Sequence, residues 1–316
     1  MDSTGQTTRR AILGASAASL GIALADAAPL SARTPARRQV RYSLNTSTID
    51  GQKLTIDQKI DIAARAGYDV IEPWMRELDA YVKAGGKLAD LRKRITAEGL
   101  TVESAIGFAP WIVNDDAQRR AALEQAKRDM DKLAQIGGKR IAAPPVGAHR
   151  EGNVSLDHVA ERYRALLELG CEMGIVPQLE LWGFSRVLSR VSELAYVAVE
   201  AAHRDACLLL DVYHIYKGGS GFTGLNMIPG RAVRVCHMND YPADPPREKI
   251  QDADRVYPGE GVAPLKTMLR TFFTNGFEGT LSLELFNRDY WKQDPLAVAK
   301  RGLQAMRRSV ETALAQ

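Results

Sequence analysis

Eight times after Val40, a short apolar run is followed by a longer stretch with helical spacing, and this alternation constrains the fold more than any other feature of the chain. The runs are Val40 to Leu44, Val70 to Pro73, Val102 to Ile106, Arg140 to Ala143, Pro177 to Leu181, Cys207 to Val212, Val233 to Met238 and Thr280 to Leu285. Amphipathic stretches lie between them, among them Ile56 to Ala66, Asp115 to Ile136, Leu156 to Met173 and Val191 to His203. Gly67, Gly99, Gly137-Gly138, Gly174 and Gly276 fall near the ends of such stretches, where helices commonly close through a left-handed residue. Eight strand-helix units in one chain predict an α/β fold, a closed parallel (β/α)8 TIM barrel. An open doubly wound sheet would normally show a phosphate-binding glycine loop after its first strand, and none follows Val40 to Leu44. No linker or low-complexity segment divides residues 39–316, which read as one domain.

Residues 1–38 read differently. Thr7-Thr8-Arg9-Arg10 leads into a weakly apolar, alanine-rich stretch and then small residues from about Ala25 to Ala32, the order of a twin-arginine signal peptide and leader. The expectation is export to the periplasm or beyond, with no stable membrane anchor, because the apolar stretch is short for a permanent span. The formal charge of +4 belongs mostly to this leader: it holds five arginines and two aspartates, so residues 39–316 carry only +1. Nucleic-acid binding rests on clustered Lys and Arg, and a nearly neutral domain gives no reason to expect it. Cys171, Cys207 and Cys236 lack CxxC spacing, and all three are read as core thiols.

A barrel of this kind places its active site at the carboxyl-terminal mouth, so polar residues ending apolar strands carry the functional signal. Four consecutive strands supply them: Glu180 in Leu179-Glu180-Leu181, Asp211 in Leu210-Asp211-Val212, His237 in Cys236-His237-Met238, and Glu284 in Leu283-Glu284-Leu285. Any one of them alone would pass as a cap or ion-pair partner. Together they would bring three carboxylates and an imidazole to one apolar mouth, where they would repel or protonate unless a cation joined them. The set suits one divalent ion, Mn, Mg, Co or Zn, with positions left for substrate oxygens.

At this point the chain resembles the xylose-isomerase-like barrel superfamily of sugar isomerases and epimerases, and its second half is similar to the inosose isomerase group. The resemblance rests on Leu210-Asp211-Val212-Tyr213-His214, His237-Met238-Asn239-Asp240, Asp254-Arg255-Val256-Tyr257-Pro258-Gly259-Glu260-Gly261 and Leu283-Glu284-Leu285-Phe286, in that order. It implies that Glu180, Asp211, His237 and Glu284 hold the metal, and that Glu180 and Glu284 exchange a proton beside the substrate carbonyl. Such carboxylates on two faces of an enediolate give epimerisation or isomerisation according to where the proton returns. His214, three residues after Asp211, and Arg255, beside the Pro-Gly-x-Gly turn, are expected to bind substrate oxygens. Glu72, Trp74 and Trp182 follow their strands and are expected to shape the pocket. His149 falls on a loop after the fourth strand, whereas His158 and His203 fall on helical stretches and carry no expected chemistry.

The expected substrate is a small carbohydrate or cyclitol bearing a hydroxy-ketone, with export favouring a free keto-sugar, inosose or oxidised glycoside over a sugar phosphate. Elimination from a keto-glycoside by a lyase or hydratase begins with the same enediolate, and a homo-oligomer is compatible with the sequence. Apurinic endonucleases of the same superfamily need further histidines, yet here the second strand ends Ile71-Glu72-Pro73-Trp74 and the third Ala105-Ile106-Gly107. A non-catalytic sugar-binding role would not require both Glu180 and Glu284.

Overall fold

The computed structural model describes residues 40–315, so the expected twin-arginine leader lies outside the described residues. Eight parallel strands form one sheet: β1 (Arg41–Asn45), β2 (Val70–Glu72), β3 (Ser104–Ala105), β4 (Arg140–Ala143), β5 (Val176–Glu180), β6 (Leu208–Asp211), β7 (Val233–Met238) and β8 (Thr280–Leu283). Their order is β2-β1-β8-β7-β6-β5-β4-β3. Isolated parallel bridges, Val70 with Thr101 and Trp74 with Ile106, join the two ends and close the barrel.

That seam is where the strands depart most from expectation. The third strand, expected over Val102 to Ile106, keeps only two residues of regular ladder. Pro73 supplies a physical reason, since it has no N–H to give and a continuous ladder between β2 and β3 cannot form. Its carbonyl accepts from Ile106 N at 2.9 Å, and Met75 N returns to Ile106 O at 2.9 Å. At the other departure, Val212 opens a helix, Val212–Lys217, rather than extending β6, because Asp211 caps it by accepting from His214 N at 2.9 Å.

The helices show how local sequence sets the outer layer. Helix Ile56–Ala66 starts where the Gln58 side chain accepts from Thr55 N at 3.0 Å, and it ends at Gly67 with φ 92°, a conformation that favours glycine. Its buried Ile56, Ile60 and Ala63 recur every three or four residues and pack into the main core. Asp115 caps helix Asp116–Gln135, and Ser155 caps helix Leu156–Met173. Each fully buried leucine or isoleucine of this layer contributes about 1.5–3 kcal/mol relative to an exposed one. Leu179, Leu210 and Leu283, neighbours of the strand-end acids, are wholly buried. The apolar flanks thus hold the strand ends rigid. No helix among the described residues is long and apolar enough to cross a membrane.

Two sequence expectations need correction. Cys207 and Cys236 are buried, but Cys171 is exposed, because it falls on the outward side of its helix near the end. His203 is not helical: its helix stops at Glu200, and the residue sits in the turn leading to β6.

Candidate active site

The carboxyl-terminal ends of β5 to β8 converge on a pocket of about 390 Å³. Glu180, Glu284, His214 and Arg255 line it, with Trp74, Phe108, Trp182, Phe184 and Phe286 among the side chains around them. Asp211 and His237 lie deeper, both fully buried.

Asp211, His237 and Glu284 bring one ligand atom each to within 4.8 Å of one another. The His237 ring is oriented from both sides. Its Nε2 lies 3.1 Å from Glu72 Oε2, and its Nδ1 faces Glu284 Oε2 at 3.1 Å and Asp211 Oδ2 at 3.7 Å. Nδ1 has no hydrogen-bond partner, nor has Glu180 Oε2. Two orphaned buried atoms, on Glu180 and His237, beside the Asp211 and Glu284 carboxylates make a donor set that a divalent ion satisfies, so the residues present fit the expected group. Glu180 belongs to the same pocket but stands outside the close set of three.

The charges here are unbalanced in an informative way. Burial pushes the Glu180 carboxyl up to about 8, with the His237 charge opposing and the Glu284 carboxylate adding to the rise. Burial would also raise Asp211, yet the Arg255 guanidinium and the His214 and His237 imidazoles hold it well below the usual carboxylate range. His237 is raised despite its burial, by the charges of Glu284 and Glu72. His214 is lowered, by burial and by Arg255 against the pull of Asp211.

Arg255 is fully buried and does more than line a wall. Its Nη1 donates to Asp211 Oδ2 and Glu284 Oε2, each at 2.9 Å, while Nη2 pairs with Asp252 and lies 3.2 Å from His214 Nε2. The guanidinium carries no acceptor, so His214 Nε2 accepts and its Nδ1 bears the proton. That Nδ1 has no partner and is free to donate.

The loop bearing Arg255 is held by Asp240. Its carboxylate accepts from the backbone N–H groups of Tyr241, Gly259 and Ala263 at 2.8, 3.0 and 2.9 Å. A side chain at Gly261 would place Cβ 2.4 Å from Asp240 Oδ1. The spacing between Asp240 and the Pro-Gly-x-Gly turn is thereby explained as a clamp on the loop.

Of the expected pocket residues, Trp74, Trp182, His214 and Arg255 line the cavity and Glu72 does not. Glu72 is fully buried below it, accepting from Asn45 Nδ2 at 2.9 Å and Ser282 Oγ at 2.7 Å as well as meeting His237. The short β2 ends with this carboxylate turned into the barrel, so Glu72 stands under the pocket against the imidazole and not in the pocket wall where it was expected. His149 stands edge-on to Trp182 at 5.6 Å and lies outside the lining.

Two residues escaped the sequence reading. Asn45 ends β1 and donates to both Glu72 and Glu284 Oε1, the latter at 3.2 Å, while its Oδ1 accepts from Trp74 Nε1 at 2.8 Å. Asn239 donates to Asp211 Oδ2 at 3.2 Å and accepts from Tyr213 N at 2.9 Å. A polar residue ending an apolar strand was the available signal for Asn45, but an amide carries no charge to draw attention.

A barrel whose mouth holds a buried glutamate beside an acid-imidazole-acid cluster fits an enzyme of the sugar isomerase and epimerase kind. The chain belongs to the xylose isomerase-like TIM barrel family, whose model matches residues 60–309. It is 33% identical over 252 residues to an inosose isomerase of Halalkalibacterium halodurans, covering 78% of this chain and 87% of the relative. It is 25% identical over 276 residues to a 3-dehydroshikimate dehydratase of Pseudomonas aeruginosa, covering 84% of this chain and 41% of that protein. Among solved structures, the IOLI protein with a binding zinc atom superposes with a TM-score of 0.81 at 20% identity, over 88% of this chain and 100% of that one.

Proposed function

We propose that this protein is a divalent-metal-dependent isomerase or epimerase of a free keto-sugar or inosose, with Glu180 and Glu284 as its proton-transfer pair. The observation that carries the reading is that these two buried carboxylates, from strands three places apart around the barrel, line one pocket, Glu284 as a member of the Asp211–His237–Glu284 cluster. Asp211, His237 and Glu284 would hold the ion, with Glu180 completing the set. A bound divalent cation supplies Lewis-acid stabilisation of negative charge on substrate oxygens. The inosose isomerases among the relatives, and the zinc in the IOLI structure, support both the chemistry and the ion.

The protein's own groups account for the rest. One glutamate removes the proton from the carbon beside the carbonyl, giving an enediolate. The other, or the same one, returns a proton to that carbon or its neighbour. Burial pushes the Glu180 carboxyl up to about 8, and a bound cation would favour its carboxylate form. His214 Nδ1–H is available to a substrate oxygen, and Arg255 holds Asp211 and Glu284 in place.

A second reading is favoured by the dehydratase relative. If the substrate carries an oxygen substituent on the carbon next to the one deprotonated, the C–H and C–O bonds break and a C=C bond forms. The substituent then leaves as an alcohol, or hydroxide as water, with the proton returned from the glutamate pair. From the Arg9-Arg10 leader we further infer export by the twin-arginine route, testable by fractionating cells that carry Arg9→Lys/Arg10→Lys.

The deciding experiment incubates metal-loaded and metal-stripped protein with inososes and keto-sugars in D2O and follows deuterium at the carbon beside the carbonyl by NMR. Metal-dependent incorporation is expected. No incorporation into any candidate sinks the proton-transfer reading, while release of an alcohol or water favours elimination over isomerisation.

A further inference from the structure

The pocket wall above the acids is built from rings in an unbroken sequence. Phe286 meets Trp74 at 6.0 Å, Trp74 meets Phe108 at 5.2 Å, Phe108 meets Trp182 at 6.1 Å, and Trp182 meets Phe184 at 5.2 Å. Phe184 then meets the His214 ring at 5.6 Å. His214 touches Arg255 at 3.2 Å, and the Arg255 guanidinium stands 5.0 Å over Phe286, closing the circuit. This collar is backed by close main-chain packing: a Cβ at Gly183, between Trp182 and Phe184, would come within 2.4 Å of the His214 carbonyl oxygen.

A lone polyol would cover only part of such a wall. Its hydroxyls need donors and acceptors, which the floor supplies through Glu180, Glu284, His214 and Arg255, and one C–H face can lie on one ring. Trp74 has already committed its indole N–H to Asn45. Phe184, 45% exposed at the outer edge, offers only an apolar face and costs free energy while it faces water. Trp182 and Phe184 pack on each other at 5.2 Å with a 33° tilt, and both rings line the pocket. The volume of about 390 Å³ falls in the range of pockets that enclose drug-sized ligands, about 300–1,000 Å³.

We propose that the substrate is a keto-sugar joined to a planar aromatic aglycone, with the sugar on the acidic floor and the aglycone against Trp182 and Phe184. The keto-sugar half rests on the function proposed above. The aglycone half rests on the collar alone. Offset or edge-to-face contact with these rings adds to simple burial and gives an expected preference of about tenfold over an otherwise identical sugar with a small aglycone.

The test separates the two halves. Binding of 4-nitrophenyl β-D-glucoside and methyl β-D-glucoside to the metal-loaded protein is compared by calorimetry, for the wild type and for Phe184→Ala and Trp182→Leu. Deuterium exchange is followed in parallel on the 3-keto forms of both glucosides. The expected result is tighter binding of the nitrophenyl ligand by about tenfold, with the ratio falling toward one in both variants. Equal affinity for the two ligands, or a ratio unmoved in both variants, overturns the aglycone assignment. Absence of exchange on either keto-sugar, with the nitrophenyl preference intact, overturns the proton-transfer reading while supporting the collar as the aglycone site.

Discussion

The two ends of the barrel use the same kinds of residue to opposite effect. At the amino-terminal end, Glu103 is surrounded by cations: Arg41 pairs with it, Lys139 lies at 2.7 Å and Arg140 at 3.1 Å. These come from the starts of β1 and β4 and the residue before β4, and they hold the Glu103 carboxyl below the ordinary range against the effect of burial. At the carboxyl-terminal end, buried acids outnumber their cations, Glu180 is driven upward, and polar atoms of Glu180, His237 and His214 stand without partners. The acid at one end is matched by cations and the acids at the other are not. Paired charge stabilises a fold, whereas unsatisfied buried charge marks the place where a ligand is expected to complete the bonding.

The largest test of this contrast is Glu284→Gln, expected to lower metal-dependent proton exchange by about a thousandfold while the circular dichroism spectrum is kept. Exchange within tenfold of wild type would remove Glu284 from the proton-transfer pair. Next comes Glu72→Gln, which keeps the shape but takes the carboxylate from His237 Nε2; metal affinity measured by competition with a chelator should fall by about 10–100-fold. An unchanged affinity would show that Glu72 does not orient the imidazole.

At the charge-matched end the effects are smaller and fall on stability. Glu103→Gln should cost about 1 kcal/mol by urea unfolding near neutral pH, an amount limited by solvent screening of its half-exposed partners. Because the folded carboxyl is depressed, its contribution is present above its unfolded value and disappears as pH falls through the folded one, so the two proteins should converge in acid. A gap that widens on acidification would contradict the pairing.

The smallest expected effect belongs to Cys171, which with His203 and Asp205 forms a second group within metal-ligand reach, at the same amino-terminal end. His203 Nδ1 accepts from Asp205 N at 3.2 Å, which leaves the proton on Nε2, pointed at Cys171 Sγ 3.8 Å away. A ring so held donates to sulfur instead of offering it a shared ion. Cys171→Ser should leave bound metal per chain unchanged by atomic emission, and a loss there would mean that both ends carry metal.

Much of this was legible from the chain because each strand end is a single polar residue among aliphatic neighbours, a pattern that few other folds impose. Helices Ile56–Ala66 and Leu156–Met173 agree with the sequence to the residue, since caps and closing glycines mark both ends. What the sequence concealed depends on contacts between distant segments. Nothing near Glu72 announces His237, 165 positions away, and the shortness of β3 follows from Pro73 on a different strand. The aromatic collar was equally hidden: Trp74 and Trp182 were visible as pocket candidates, but Phe108, Phe184 and Phe286 lie on three loops whose meeting only the barrel arranges.

The seam between β2 and β3 carries one more implication. Every other neighbouring pair is sewn by a ladder, while this one is closed by two isolated bridges. Trp74 and Phe108 hang from its upper edge, at 5.2 Å from each other. The aromatic side of the mouth is therefore built over the joint with the least continuous pairing, while seven laddered joints keep the acids below in register.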